Sequence, residues 1–113
     1  MKLNKIMEAA RLTPASPKME VPAEFDGVYV GDLLSRAMSR VEADSLWLTI
    51  MNNINVIAVA SLADAAAVIL CEDVRLTDEA LEAACSKDVC VLYSPLGAYE
   101  LCTAIYQAGL SAS

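Results

Sequence analysis

The sequence predicts a single α/β domain with a mostly parallel central sheet and helices on the faces of that sheet. The chain has 113 residues, which is the size of one domain. Hydrophobic residues make up 57% of it, and several short apolar runs are rich in β-branched side chains, as in strands buried on both faces. These runs alternate with helix-like segments, which favours parallel strands connected by crossover helices.

Residues 1–20 are predicted to form a helix and a stiff connector that precede the core. Residues 3–10 carry apolar side chains at helical spacing. Pro14 and Pro17 should end this helix, because proline cannot continue the helical hydrogen-bond pattern. The core is then expected to occupy residues 28–110 of a domain that spans the whole chain.

A short strand at residues 28–30 is predicted to open the core and to lead into a helix at about 33–43. Asp32 immediately precedes that helix and is predicted to be its N-cap. Aspartate favours this position because its carboxylate accepts hydrogen bonds from the first free amides of a helix.

The middle of the chain is predicted to hold two central strands, at about 46–50 and 55–60. Asn52 and Asn53 lie between them and suit a turn, because asparagine tolerates left-handed backbone conformations. A short helical segment at 62–66 is expected to follow.

Residues 67–71 and 89–93 are predicted strands on either side of a helix that runs from Thr77 to about Ser86. The start of this helix is well specified. Thr77 is a favoured N-cap, and two acidic residues follow it in the first turn, where the helix dipole favours negative charge.

The final helix is predicted to begin with Ser94 as N-cap and Pro95 as first helical residue. It should stop at Gly109, with Leu110 packing back on Ile105 and frayed residues beyond. The predicted order is therefore a helix followed by β-α-β-β-(short α)-β-α-β-α.

The charge of the chain argues against nucleic acid as a partner. The net charge is −7, and residues 21–113 carry 13 acidic but only four basic side chains. Binding to nucleic acid requires a basic face. We find no uncharged apolar run long enough for a membrane span and no signal peptide, so we expect a cytoplasmic protein.

The cysteines are predicted to be reduced and buried, as in a cytosolic protein. None of them forms a Cys-x-x-Cys pair, and the chain has no histidine, so a zinc or iron–sulfur site is disfavoured. We therefore expect no metal and no cofactor. The four cysteines are Cys71, Cys85, Cys90 and Cys102.

The sequence is not expected to encode an enzyme. Without histidine, neither a Ser-His nor a Cys-His nucleophile pair can form. The glycine-rich fingerprints of phosphate-binding loops and dinucleotide-binding folds are also missing from the sequence.

Three groups of polar residues could bind a ligand if the fold brings them together. Each has a structural alternative as a helix cap or as turn chemistry. As a ligand site, these groups would supply backbone amides at helix starts and side-chain amides that converge on one point. Both would lie at the carboxyl ends of strands, where open α/β sheets bind ligands. The candidates are Gly31, Asp32 and Ser35 in the first group, Thr49, Asn52, Asn53 and Asn55 in the second, and Ser94 between Tyr93 and Pro95 in the third.

Several segments of the chain resemble stand-alone DRTGG-domain proteins, and the resemblance covers about residues 28–110. These segments are Val-Gly-Asp-Leu-Leu-Ser at 30–35, Leu-Trp-Leu-Thr-Ile at 46–50, Asn-Val-Ile-Ala-Val-Ala-Ser-Leu at 55–62, Ala-Val-Ile-Leu at 67–70 and Ser-Pro-Leu-Gly-Ala-Tyr-Glu-Leu at 94–101.

The resemblance implies a fold similar to the N-terminal, non-catalytic domain of HPr kinase/phosphorylase. Relatives occur as regulatory inserts in CBS-containing inorganic pyrophosphatases and in some phosphate acetyltransferases, where the domain dimerises and helps to carry a regulatory signal. Stand-alone members are bacterial and often anaerobic, and some are encoded near hydrogenase subunits.

The chain departs from the family at the letters that name it. Where relatives carry a Thr-Gly-Gly-like turn after a strand, this chain has Cys71-Glu72-Asp73. Where they carry Asp-Arg after the preceding strand, it has Ala60-Ser61. Loss of a glycine turn and an arginine removes an anion-friendly site, which argues against direct binding of nucleotide phosphates.

These observations together predict a non-catalytic regulatory or protein-interaction domain that acts as a homodimer. Two alternatives stay open. One is a sensor of a small molecule, with nucleotides included, that uses Asp32, Asn52, Asn55 and Ser94. The other is an accessory protein for a redox enzyme such as a hydrogenase, with a partner in a redox or carbon-metabolism complex.

Overall fold

The computed structural model describes residues 1–112 and contains a five-stranded sheet in the order β1-β5-β4-β3-β2. Strands β2 to β5 are parallel, and β1 pairs antiparallel with β5. The predicted α/β fold with a mostly parallel sheet is therefore confirmed. The strands are β1 (Thr13–Pro14), β2 (Gly27–Val30), β3 (Ser45–Thr49), β4 (Ala67–Leu70) and β5 (Val91–Tyr93).

Three crossover helices cover one face of the sheet, and a fourth helix with the N-terminal segment covers the other. The helices are α1 (Leu34–Arg40), α2 (Ile54–Ala63), α3 (Asp78–Ser86) and α4 (Ala98–Ala112). Trp47, Val68 and Val91 point to the α1–α3 layer and pack in one buried cluster with residues of those helices. Leu48, Ile69 and Leu92 point the other way and pack with α4 and the N-terminal segment.

The prediction of a strand at residues 55–60 is wrong, because these residues lie inside α2. The side chain of Asn53 accepts a hydrogen bond from the amide of Asn55 and caps this helix, so the predicted asparagine turn is a helix start. Asp64 ends α2 in the left-handed conformation, so the predicted segment at 62–66 is the last turn of α2 and its exit. A short apolar run buried in a helical layer cannot be distinguished from a buried strand by its composition.

The predicted N-terminal helix at residues 3–10 is also wrong. Only Leu3–Lys5 form a 3-10 turn, although the apolar side chains of Leu3, Ile6 and Ala10 are buried as their spacing suggested. The predicted connector pairs through Pro14 with Leu92 as part of β1. Proline fits there because an edge strand leaves one row of amides without a ladder partner.

Two predicted helix caps are corrected, and one is confirmed. Thr77 caps α3 as predicted, and its side chain accepts a hydrogen bond from the amide of Ala80. Leu33 occupies the cap position of α1 in place of Asp32, and it makes no side-chain cap bond. Helix α4 begins at Ala98, well after the predicted cap at Ser94.

Helix α4 does not stop at Gly109 but continues to Ala112. The predicted fraying of residues 111–113 is therefore wrong for Ser111 and Ala112, which are helical. The predicted packing of the Leu110 side chain and the predicted fraying of Ser113 lie outside what the structure describes. Within the described chain, no helix combines the length and the hydropathy needed to cross a bilayer.

Candidate functional site

The carboxyl ends of the four parallel strands meet at one edge of the sheet, and all eight predicted site residues lie along it. Thr49 is the last residue of β3, and the others lie in the loops and first helical turns that follow β2, β3 and β5. Ser35, in the first turn of α1, is exposed. Within the described residues the parallel strands follow one another in sequence without a reversal of order. This edge therefore does not form the crevice that a reversal opens in doubly wound sheets.

Asp32 ties the loop after β2 to the loop after β3. Its Oδ1 accepts a hydrogen bond from the Thr49 hydroxyl at 2.7 Å and another from the Ile50 amide at 2.9 Å. The Thr49 Oγ1 in turn accepts the Met51 amide at 3.1 Å. The first two predicted groups are thus brought into contact. The Asp32 carboxylate, however, is already hydrogen-bonded to the end of β3 and the loop that follows it.

Gly31 lies where the chain approaches neighbouring groups closely. Its carbonyl oxygen accepts a hydrogen bond from the Trp47 indole at 3.0 Å. A Cβ atom at Gly31 would lie 2.8 Å from the Tyr29 hydroxyl oxygen, so any larger residue would displace that ring. The glycine is explained by this packing without a ligand.

The asparagines connect the loop before α2 to the loop before α3. The Asn52 side-chain amide donates to the Arg75 carbonyl oxygen at 2.8 Å, and the Asn52 carbonyl oxygen accepts the Thr77 amide at 3.2 Å. Asn53 is the cap of α2, and Asn55 follows it as an exposed residue of the first turn. Asn53 and Asn55 are both exposed, whereas Asn52 is partly buried.

The turn after β4 keeps a glycine-like backbone without glycine. Glu72 and Asp73 have φ values of 59° and 61°, in the left-handed region that glycine favours. The Glu72 amide donates to the Leu96 carbonyl oxygen at 2.9 Å, and the Asp73 amide donates to the Ser94 carbonyl oxygen at 3.0 Å. The amides that a bound anion would need at this turn therefore bind the neighbouring loop.

The predicted positional match of the family's Asp-Arg letters to Ala60-Ser61 is wrong. These two residues lie within α2, whereas the strand that precedes β4 is β3 and is followed by Ile50 and Met51. The mismatch follows from the incorrect strand prediction for this segment.

Ser94 belongs to the interior and not to an open site. Its side chain is 1% exposed, and its hydroxyl donates to the Ala10 carbonyl oxygen at 2.7 Å while accepting the Leu96 amide at 3.1 Å. It fastens the N-terminal segment to the end of β5. A serine whose proton is held by a carbonyl oxygen is a poor nucleophile without a base.

Sequence reasoning missed a stacked pair at this edge. The Arg75 guanidinium lies 4.8 Å from the centre of the Tyr93 ring, and the Tyr93 hydroxyl accepts the Leu76 amide at 3.1 Å. No local sequence pattern predicts a contact between two residues that are 18 positions apart. The two side chains join the loop after β4 to the end of β5 by a cation–π contact.

The prediction that all four cysteines are buried is confirmed for Cys71 and Cys90 and is wrong for Cys85 and Cys102, which are partly exposed. Burial raises the pKa of Cys71 to about 11, and the nearby charges of Asp32 and Glu72 add to this effect. Burial alone raises the pKa of Cys90 to about 11, and it also raises the pKa of Cys102. Thiols of this kind are weak nucleophiles and weak metal ligands at neutral pH, because both roles need the thiolate.

Two apolar surfaces complete the survey of the molecule. The first, which we call the α2 stripe, consists of Ile54, Ala58 and Leu62 on the outward face of α2, and Leu62 is 79% exposed. The second is a groove of about 440 Å³ beside the edge strand β2, with Phe25, Val28, Ile105 and Tyr106 among its lining residues. Both are built from side chains that the sequence analysis did not select as site residues.

Comparison with known proteins shows the fold. No protein-family profile and no curated protein matches the sequence. Among solved structures, the chain is similar to the CBS and DRTGG domains of the regulatory region of a Clostridium perfringens pyrophosphatase, determined in complex with the activator diadenosine tetraphosphate. The TM-score is 0.73 at 14% sequence identity.

This similarity covers 95% of our chain and 46% of the pyrophosphatase chain, so our chain spans less than half the length of that neighbour. The predicted resemblance to DRTGG domains is confirmed at the level of the fold.

Proposed function

We propose that this chain is a non-catalytic regulatory domain that acts through protein contacts as a homodimer. The observation that carries the proposal is the α2 stripe. Helix α2 has no charged side chain from Ile54 to Ala63, and Leu62 on its outward face is 79% exposed. Met38 on the neighbouring helix α1 is 61% exposed. Large apolar side chains exposed on two neighbouring helices are typical of an interaction site.

The chemistry of the candidate site supports a non-catalytic role. The hydroxyl of Ser94 is committed to a carbonyl oxygen, and the carboxylate of Asp32 is committed to Thr49 and Ile50. The thiols of Cys71 and Cys90 have pKa values of about 11 and stay protonated at neutral pH. The similar pyrophosphatase region is itself regulatory, which fits the same kind of role for this chain.

Sedimentation velocity at micromolar protein concentration tests the proposal. We expect a dimer for the natural chain and a monomer for Leu62→Glu, because a carboxylate would be desolvated in the contact. Tyr99→Glu is the matched control, since Tyr99 is equally exposed on α4 at the opposite face of the sheet. A natural chain that sediments as a monomer would count against the proposal.

A second candidate function, a sensor of small molecules, is favoured by the groove beside β2. Its lining is mostly apolar and comes from the edge strand and α4, with the buried Phe25 and Ile105 and the exposed Val28 among the lining residues. Such concave apolar sites with few polar groups are the common form of small-molecule sites.

A thermal-shift screen with nucleotides, dinucleoside polyphosphates and apolar metabolites tests this second candidate. A ligand at 100 times its dissociation constant adds about 2.7 kcal/mol to the free energy of unfolding. Tyr106→Ser should abolish the shift if the ligand occupies the groove, whereas Asn55→Ala should abolish it if the ligand occupies the carboxyl edge. A screen in which no compound raises the melting temperature removes this candidate.

A further inference from the structure

The layer formed by α1, α2 and α3 has an ordered distribution of charge. Helix α1 carries Arg36 and Arg40 and no acidic residue, whereas α3 carries acidic residues and no basic one. Helix α2 packs against both of them and has no charge. The outer surface of the layer is therefore positive on one side, apolar in the middle and negative on the other side.

The charged side chains of α1 and α3 are exposed to solvent. Arg36 and Arg40 are exposed on α1, and Asp78, Glu79 and Glu82 are exposed on α3. The buried residues of the same helices, Ala37, Ala80 and Ala84, face the sheet, so the charges lie on the remaining helix surface. A surface with this pattern is complementary to a second copy of itself in one orientation.

A two-fold contact made face to face has two limiting orientations, with the axis along the helices or across them. A two-fold axis that runs along the helices places α1 of one copy opposite α3 of the other and keeps the two α2 helices parallel. An axis that runs across the helices places α1 opposite α1 and α3 opposite α3. Like charges opposite each other in an interface are strongly unfavourable, so only the first orientation suits this chain.

The heights of the charges along the helices also agree with the first orientation. Each of the three helices follows a parallel strand, so all three start at the same edge of the sheet. Arg36 is the third residue of α1, and Glu79 and Glu82 are the second and fifth residues of α3. An axis along the helices preserves height, so Arg36 comes within about one helical turn of both glutamates.

We infer that a second copy of this chain docks on the α1–α3 layer with parallel α2 stripes at the two-fold axis and with the α1 arginines opposite the α3 acids of the partner. This inference rests on the proposed homodimer and specifies its surface and its symmetry. Added salt weakens the contact, because the paired charges at its margins are screened.

Charge-reversal variants test the inference by sedimentation equilibrium. Arg36→Glu with Arg40→Glu makes both flanks acidic, and Glu79→Arg with Glu82→Arg makes the α3 flank basic. Each double variant alone should dimerise more than about tenfold more weakly than the natural chain. An equimolar mixture of the two should restore the dimer as a heterodimer, because opposite charges again face each other on both flanks.

Matched controls separate this effect from net charge. Lys2→Glu with Lys5→Glu changes the net charge as much as the arginine variant does, and Glu8→Arg with Glu24→Arg matches the glutamate variant; all four control residues are exposed on the N-terminal segment. If the layer variants behave like their controls, the dimer uses another surface; the inference then falls while the homodimer stands. If the natural chain is a monomer, both fall.

Discussion

The two faces of the sheet are covered in different ways. On one face, three crossover helices are packed side by side and leave an apolar stripe between two oppositely charged flanks. On the other face, α4 and the N-terminal segment leave an apolar groove beside β2 and enclose the thiols of Cys71 and Cys90. The first face therefore presents exposed apolar side chains between charged helices, whereas the second encloses a core and leaves one groove open.

This difference teaches how one small sheet separates two tasks. The carboxyl edge of the sheet lies between the faces, and its polar groups bind one another: Asp32 binds Thr49, Asn52 binds Arg75, and Ser94 binds Ala10. Because these hydrogen bonds are made within the chain, they hold the loops at this edge to one another and to the N-terminal segment. Substitutions that act on one face alone can therefore test the division.

The largest effect is expected for Trp47→Ala on the helix-layer face. The Trp47 side chain is fully buried, and its indole donates to the Gly31 carbonyl oxygen. We expect a loss of about 3–5 kcal/mol in the free energy of unfolding by urea denaturation. Trp47→Phe keeps most of the packing and should cost only about 1–2 kcal/mol for the lost hydrogen bond. A cost below about 1 kcal/mol for the alanine variant would show that this face is loosely packed.

The fold could be predicted from the sequence where local signals agree with tertiary packing. Helix α3 was predicted with its cap and its bounds, because Thr77 and the acidic first turn specify a start in any context. Strands β3 and β4 were predicted because a buried parallel strand is short, apolar and rich in large side chains.

Helix α2 could not be predicted, because its composition is as apolar as that of a buried strand. Val56, Ile57 and Val59 favour a strand by intrinsic propensity, but all three are buried between the sheet and the two neighbouring helices. Apolar side chains occupy the exposed face of this helix as well as the buried face, so the helical period is hidden. The α2 stripe could therefore not be predicted from the sequence, because the segment that contains it was predicted to be a strand.

The candidate site was predicted only in part. Asp32 and Thr49 were selected and do meet, but their bond depends on register between β2 and β3, which the sequence does not display. The Arg75–Tyr93 pair depends on the same kind of information and was missed. Contacts between loops at one edge follow from strand order, and strand order is a property of the whole fold.

Ser94→Ala should give the next largest effect and should act on the α4 face. The Ser94 hydroxyl is buried and serves both the Ala10 carbonyl oxygen and the Leu96 amide. Its removal leaves buried polar groups without a partner, so we expect a loss of about 1–3 kcal/mol, measured by chemical denaturation. Ser39→Ala is the matched control, because the Ser39 hydroxyl bonds in an exposed position and should cost less than about 0.5 kcal/mol. Equal costs for the two variants would contradict the structural role of Ser94.

Alkaline titration should report on the α4 face through its thiols. The folded state raises the pKa of Cys90 from 9.0 to about 11, so it binds the thiol proton more tightly than the unfolded state does. The stabilisation is complete below about pH 9 and is lost as the pH rises to about 11.

We expect Cys90→Ala to reduce this alkaline loss by on the order of 1 kcal/mol. Cys85→Ala is the control, because Cys85 lies on α3 outside the buried cluster around α4. The measurement is the difference in melting temperature between pH 8 and pH 10.5 for each variant. An alkaline loss that is the same in both variants would show that other groups cause it.

The smallest effect is expected for Glu72→Gly, at the turn that joins the two faces. The turn leads from β4 to α3, and its amides bind the loop that leads to α4. Glu72 has a φ of 59°, which costs a residue with a Cβ atom roughly 1 kcal/mol and costs glycine nothing. After the greater chain entropy of glycine in the unfolded state is subtracted, we expect a gain of about 0.5 kcal/mol.

The same change at Glu82, in the middle of α3, should instead destabilise by about 1 kcal/mol. Thermal denaturation of the two variants side by side measures the opposite signs, and a loss of stability in both would mean that the Glu72 side chain stabilises the junction by contacts of its own.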